Sequence, residues 1–436
     1  MKRIFFTILM GSWIVTSVSA QETVYPAPAQ AQTIALTNAT VHVGNGQVIE
    51  NGMVLFSKGK IVDVRPTAAI ADVKIIDCKG KHIYPGLILS QSNLGLVEVG
   101  SVRATNDDTE LGQMNPNIRS LVAYNTDSKV TNTLRNNGIL LASVTPDGGI
   151  LSGSSSVVQL DAWNWEDASY QPDHAMHFRM PSLMLRGGGR GGFGRFGGQQ
   201  PTGDPVKRAL DQIENVKVFL REAKAYYQEG THEETNLKYE AVKGLFSKKQ
   251  KFFVHCNIVK EMLIAIDFAK EFGFDVVIVG GSESYQIADL LKQNNIAVVL
   301  EQMHSLPTMV DDDVDQPYKT PAALQKAGVL FAINDDDGNT RQRNLAFNAG
   351  TAAAYGLTKE EALAAVSLNA AKILGVAEKT GSIETGKDAN LLVSDGDLLD
   401  MRSNIILQAF IQGRELNLTD KHKQLYERYK YKYGLK

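Results

Sequence analysis

Apolar and polar positions change period along this chain, and the changes divide it into zones. Between residues 33 and 80 short β-rich runs, Thr33-Ile-Ala-Leu, Thr40-Val-His-Val, Val54-Leu-Phe and Lys60-Ile-Val-Asp-Val, are separated by Asn45-Gly46, Asn51-Gly52 and Lys58-Gly59. Asn-Gly and Lys-Gly pairs tolerate positive φ, so this zone predicts hairpins. From 251 onward the period alternates. Phe252-Phe-Val-His-Cys, Asp275-Val-Val-Ile-Val, Ile296-Ala-Val-Val-Leu-Glu and Val329-Leu-Phe-Ala-Ile-Asn-Asp are strands, with helices running to Phe272 and Gln293 after the first two. Apolar strands alternating with amphipathic helices imply a parallel sheet. Thr358-Lys-Glu-Glu is a capping box that starts a helix, and Ser367 caps the next, which stops at Gly375.

A β-rich pattern returns at the other end, in Gly381-Ser-Ile-Glu-Thr-Gly-Lys-Asp-Ala-Asn-Leu-Leu-Val and Ile405-Ile-Leu-Gln-Ala-Phe-Ile-Gln-Gly-Arg. Matching ends around a βα middle predict a (β/α)8 TIM-like barrel, residues 83–380, inserted in a small composite β-sandwich lobe built from 33–80 and 381–418. In such a barrel the site lies at the C-terminal ends of the strands. Tyr84-Pro85-Gly86 punctuates the chain before Leu87-Ile88-Leu89, the first barrel strand. Ile139-Leu-Leu-Ala-Ser-Val-Thr is a further buried strand. Asp147-Gly-Gly-Ile-Leu-Ser-Gly-Ser-Ser-Ser follows and reads either as a surface turn or as a backbone nest for an anion or carbonyl. Trp163 and Trp165 are read as rim packing. Asp204-Pro205 opens a helix to about Gln228, striped by Leu210, Ile213, Val216 and Leu220. Leu425, Tyr429 and Tyr433 predict that the 419–436 tail is a helix packing one face on the body.

Composition narrows the function classes. With 43% apolar and 21% charged residues among 436, the chain is an ordinary globular one. Residues 1–20 place Lys2 and Arg3 before an apolar run and end in Val18-Ser19-Ala20, the pattern of a secretory signal, so the expected location is secreted or periplasmic. Its removal takes the formal charge from −3 to −5, which excludes an electrostatic case for nucleic acid. No transmembrane span is expected after cleavage. Cys78 and Cys256, far apart in the chain, suggest no disulfide framework. Arg186-Gly-Gly-Gly-Arg-Gly-Gly-Phe-Gly-Arg-Phe-Gly-Gly cannot bury a core, so 186–203 is expected to be a mobile loop over the barrel mouth.

Residues 81–96 resemble the first barrel strand of the amidohydrolase superfamily, in which a Pro-Gly-apolar-apolar run leads to Asp-x-His-x-His. Residues 381–400 resemble that family's closing lobe signature, Gly-Ser-Ile-Glu-x-Gly-Lys-x-Ala-x-Leu, with Asn390 where the family usually has Asp. The resemblance implies zinc or another divalent metal. Its ligands would be two His from strand 1, a carboxylate or carboxylated Lys from strand 4, one His each from strands 5 and 6, and an Asp from strand 8. Carried across, the strand-1 places hold Leu89, Gln91 and Asn93. His255 matches the strand-5 histidine, and Gly280-Gly281-Ser282 brings no imidazole. Asp335 matches the strand-8 carboxylate, with Asp336 as the fallback. No strand-4 ligand is placed; His174 and His177 precede that region. Gln91, Asn93 and His255 are thus the expected pocket residues, His255 and Asp335 the remaining metal-ligand candidates, and Asp335 the candidate general base. With both strand-1 imidazoles and the strand-6 imidazole missing, the site is expected to hold its metal weakly or not at all. The resemblance implies either a hydrolase of C–N bonds in a small cyclic amide or peptide-like substrate, or a pseudoenzyme that binds a ligand or a partner. Partner readings include a homo-oligomer and a hetero-oligomer with a related amidohydrolase.

Overall fold

The computed structural model describes residues 24–184, 204–301, 303–335 and 341–435. The expectations placed on the signal segment, the 186–203 loop and Asp336 lie outside the described residues. Five N-terminal strands, β1 (Ile34–His42), β2 (Val48–Ser57), β3 (Lys60–Pro66), β4 (Lys74–Asp77) and β5 (His82–Pro85), form the first part of a lobe sheet. Eight strands follow around a barrel: β6 (Leu87–Ser92), β7 (Ile139–Val144), β8 (Leu151–Gln159), β9 (Ser169–Arg179), β10 (Lys251–Cys256), β11 (Val276–Gly280), β12 (Ala297–Leu300) and β13 (Phe331–Ile333). Then β14 (Leu391–Ser394), β15 (Ile406–Ile411) and β16 (Arg414–Glu415) return to the lobe. The lobe sheet runs β16-β15-β14-β5-β1-β2-β3, with β4 on β1, so strands from both ends of the chain share one ladder. Leu391 pairs with Pro85 and Leu392 with Tyr84, directly before the first barrel strand.

The barrel sheet is continuous from β6 to β13 in chain order. All its neighbours are parallel except β8, which is antiparallel to both β7 and β9. Residues 145–150 alone connect β7 to β8, and a parallel return needs a crossover of a dozen residues or more. This corrects the reading of the Gly- and Ser-rich stretch after Asp147. The turn is confined to residues 147–150, and from Leu151 to Gln159 the chain is a strand buried along its whole length. Its serines fit because small hydroxyls inside the barrel find partners there.

Ile88, Leu141, Val157, Phe253, Val279 and Val299 fill the barrel's interior with their neighbours. The helix Leu368–Leu374 closes the N-terminal end, where Lys251 Nζ reaches the carbonyls of Lys372 and Ile373. The helix Pro205–Glu229 begins as expected, with Asp204 accepting from Val206 N–H. Its buried stripe holds Ala209, Ile213, Val216 and Leu220, while Leu210 is exposed. Cys78 and Cys256 are both buried and free. Among the described residues no helix is long and apolar enough to cross a membrane. The C-terminal helix Lys421–Lys432 forms where expected but buries none of its residues; Tyr429 and Tyr433 are exposed rather than packed.

Candidate active site at the barrel mouth

Strand 1 carries a register shift. Leu89 pairs with Ala142 and Ser92 with Val144, three steps against two. Such a bulge reverses the inside–outside alternation. Ile88 belongs to the barrel interior and Leu89 to the outer core; without the bulge, Gln91 and Asn93 would share the outward side of Leu89. Both amides are partly buried, and among the described residues Gln91 Oε1 and Asn93 Oδ1 have no hydrogen-bond partner.

Strand 8 meets strand 1 without a backbone ladder; a side chain closes the seam. Asn334, fully buried, accepts from Ser90 N–H at 3.1 Å and Gln91 N–H at 3.3 Å through Oδ1. Its Nδ2 donates to the Gln91 carbonyl at 3.0 Å. Gln342 Nε2 adds bonds to the carbonyls of Gln91 (3.3 Å) and Asp335 (2.9 Å), and its Oε1 accepts from Ser92 Oγ at 2.6 Å. Gln91 and Asp335 are therefore brought together through their backbones.

Asp335 itself is buried. Its Oδ2 accepts from Asn348 Nδ2 at 3.1 Å, and Arg341 Nε stands 3.8 Å from Oδ1. Asp335 and Arg341 line a cavity of about 420 Å³ with Asn257, Glu301, His304 and neighbouring loop residues. This volume lies within the range of small-molecule sites. Asn257 follows β10, Glu301 follows β12 and Asp335 follows β13 closely, so the cavity sits over the C-terminal ends of the strands. Gln91, Asn93 and His255, expected in the pocket, do not line it. Glu301, Asn257 and Arg341 do, and sequence reasoning passed over them. A polar residue directly after a buried apolar strand was the signal for Glu301, the same signal that pointed to His255.

His255 leads inward instead. Its Nε2 is 2.9 Å from His177 Nδ1, and His177 Nε2 is 2.8 Å from Ser155 Oγ. Ser155 Oγ lies 3.1 Å from His174 Nε2, which is 2.9 Å from Ser143 Oγ. The histidines read as preceding strand 4 thus lie on it, in β9, and join His255 in one buried chain. Burial, with Arg179 adding, holds His177 and His255 well below the ordinary imidazole range. Burial, with Lys251 adding, pushes His174 down to about 3. His174 is thus depressed in the folded state. Its contribution to stability is complete above the unfolded value near 6.5 and is lost as pH falls toward 3, with a slope of up to about 1.4 kcal/mol per pH unit. Urea unfolding of the wild type between pH 7.5 and 5 is expected to show this loss, with the other two histidines adding in the same direction. A His174→Gln variant should lose stability less steeply with acid, and an unchanged slope would remove His174 from the account.

These placements can be set beside known proteins. A family model described as "Amidohydrolase family" matches residues 234–416. A crystal structure of an amidohydrolase from Thermotoga maritima MSB8 is 26% identical, with a TM-score of 0.75, and covers 88% of this chain and 99% of that one. The chain belongs to the amidohydrolase superfamily. Imidazolonepropionases from Thermoplasma volcanium and Flavobacterium johnsoniae are each 37% identical, over 86 and 81 residues, 19% and 18% of this chain. The match spans about a fifth of the length of these curated relatives. An adenosine deaminase from Xanthomonas campestris, solved with bound zinc, shares the fold at 16% identity, TM-score 0.52, over 93% of this chain and 98% of that one.

Zinc in this superfamily can be tested against the residues present. On strand 1 the donors are neutral amide oxygens, which suit hard cations better than zinc. His255 Nε2 is engaged by His177, and the Arg341 guanidinium competes for Asp335. Among the described residues no three of His, Cys, Asp or Glu converge as a metal-binding group. The described residues do not fit a zinc centre, and no step below is routed through a metal.

Proposed function

We propose that the protein hydrolyses a C–N bond in a small polar, amide-bearing substrate held in the barrel-mouth cavity. The observation that carries this is the convergence of Asp335, Glu301 and Arg341 on one cavity at the strand ends. In the reaction, a water oxygen bonds to the carbonyl carbon while Asp335 takes its proton. Arg341 offers N–H donors to the developing oxyanion. As the C–N bond breaks, the leaving nitrogen takes a proton, so water and amide become acid and amine. A positioned carboxylate contributes roughly 10²–10⁴-fold in such a step. The pattern of residues 1–20 supports secretion, and a mature N-terminus at any residue other than Gln21 would count against that cleavage site.

A second reading, binding without turnover, is favoured by the amides at Gln91 and Asn93. With imidazoles absent there, nothing on strand 1 lowers the pKa of an attacking water. One experiment separates the two. Purified protein, dialysed against trace zinc, is assayed by elemental analysis and on a panel of small cyclic amides and dipeptides. Well under one equivalent of zinc is expected, rising in a Gln91→His/Asn93→His variant. Slow turnover that falls at least about 10²-fold in Asp335→Asn supports the hydrolase. Saturable ligand binding with no turnover supports the second reading. Stoichiometric zinc in the wild type would overturn the donor-set argument.

A further inference from the structure

The C-terminal helix lies only lightly against its own chain, beside the helix Lys129–Asn136, and among the described residues it buries nothing there. Lys421–Lys432 buries no residue, and only Gln424, Leu425 and Lys430 are even partly covered. Its tie to the body is Lys423 Nζ on Asn136 Oδ1 at 2.7 Å. Helices of about 12 residues are marginal alone in water. The Asp420 cap and the contacts of Lys432 with the Tyr429 and Tyr433 rings add only small increments. What the helix does present is a face of Tyr426, Tyr429 and Tyr433, with Tyr431 on the other side, all exposed. Around them stand the cations Lys421, Lys423, Arg428, Lys430 and Lys432, against Asp420 and Glu427. Tyrosine and arginine in this density mark interfaces more than solvated faces.

The complementary surface lies on the same molecule. The loop before the helix Gln316–Ala327 exposes Leu306, Val310 and Val314 at 84%, 102% and 81%. Asp311, Asp312, Asp313 and Asp315 are interspersed with the two valines along the chain. A single cation answers them within the element, Lys319, whose Nζ reaches Asp313 at 3.1 Å and Asp315 at 2.7 Å. An acidic surface with bare aliphatic groups meets a basic surface with bare aromatic rings. Burying the valines and leucine against tyrosines would stabilise contact, and the charges would set its orientation.

We infer that the basic Tyr-rich helix of one copy docks on the acidic 306–315 loop of a second copy. Each copy has one of each surface, so a two-fold arrangement makes the contact twice. The docked helix would also stand beside the barrel mouth, because Leu306, Pro307 and Thr308 line that cavity.

Sedimentation velocity on the full chain tests this. Reversible self-association at micromolar concentration is expected, weakening about tenfold or more between low and high salt because the charges are exposed. Ending the chain at Asp420 removes no buried residue among the described ones and should leave a folded monomer. Asp311→Lys/Asp313→Lys should abolish association, and adding Lys430→Glu/Lys432→Glu to the same chain should restore it. That rescue is an outcome a mere folding defect cannot give. A monomer at all concentrations, or assembly that survives loss of the helix, overturns the inference. So does a helix that binds phosphatidylglycerol vesicles while the protein stays monomeric, since a lipid surface would then be the occupant.

Discussion

Replacing Asp161 by alanine is expected to destabilise the protein by about 4 kcal/mol, the range for stranding buried charge. The residue follows β8, and its side chain is only 1% exposed. It binds the Arg135 guanidinium from the barrel's first helix, itself 5% exposed, and Arg414 Nη1 from β16 at 2.7 Å. It also accepts from Ala27 N–H at 2.9 Å. One carboxylate thus joins barrel, lobe and N-terminal segment. Removing it leaves two neighbouring guanidiniums without the carboxylate they share. A double substitution, Arg135→Met with Asp161→Ala, should recover part of the loss. Urea unfolding measures both, and a loss below about 1 kcal/mol would mean the network contributes no more than an exposed ion pair.

Asn334→Leu is expected to cost about 3 kcal/mol. Leucine fills the same space but cannot answer the Ser90 and Gln91 N–H groups or the Gln91 carbonyl, all held at the seam between β6 and β13. Each buried backbone group left without a partner costs about 1–3 kcal/mol. Because Asp335 is the next residue, the substitution should also lower ligand binding at the mouth. Equal stability of wild type and variant would show that the barrel closes there without Asn334.

Much of the architecture was legible in the chain. The change from hairpin to βα period, and its return after residue 380, indicated a barrel and a lobe, because burial fixes period wherever one face meets a core. The resemblance to the family's strand-8 carboxylate pointed to Asp335, which lines the mouth. The sequence also determined that Gln91 and Asn93, not imidazoles, stand on strand 1, which bears on any metal whatever the geometry. Three matters waited for the tertiary structure. Leu151–Gln159 is a strand because it pairs on both sides, and one of its serines, Ser155, meets two buried histidines; such partners are remote in sequence. His255 was placed correctly at a strand end, but its neighbour His177 turned it into the head of an internal hydrogen-bonded chain rather than a wall of the cavity. Glu301, Asn257 and Arg341 gathered around Asp335 because strands adjacent in the barrel end at one height. Local pattern records which face of a strand is buried; it does not record which side chains meet above it.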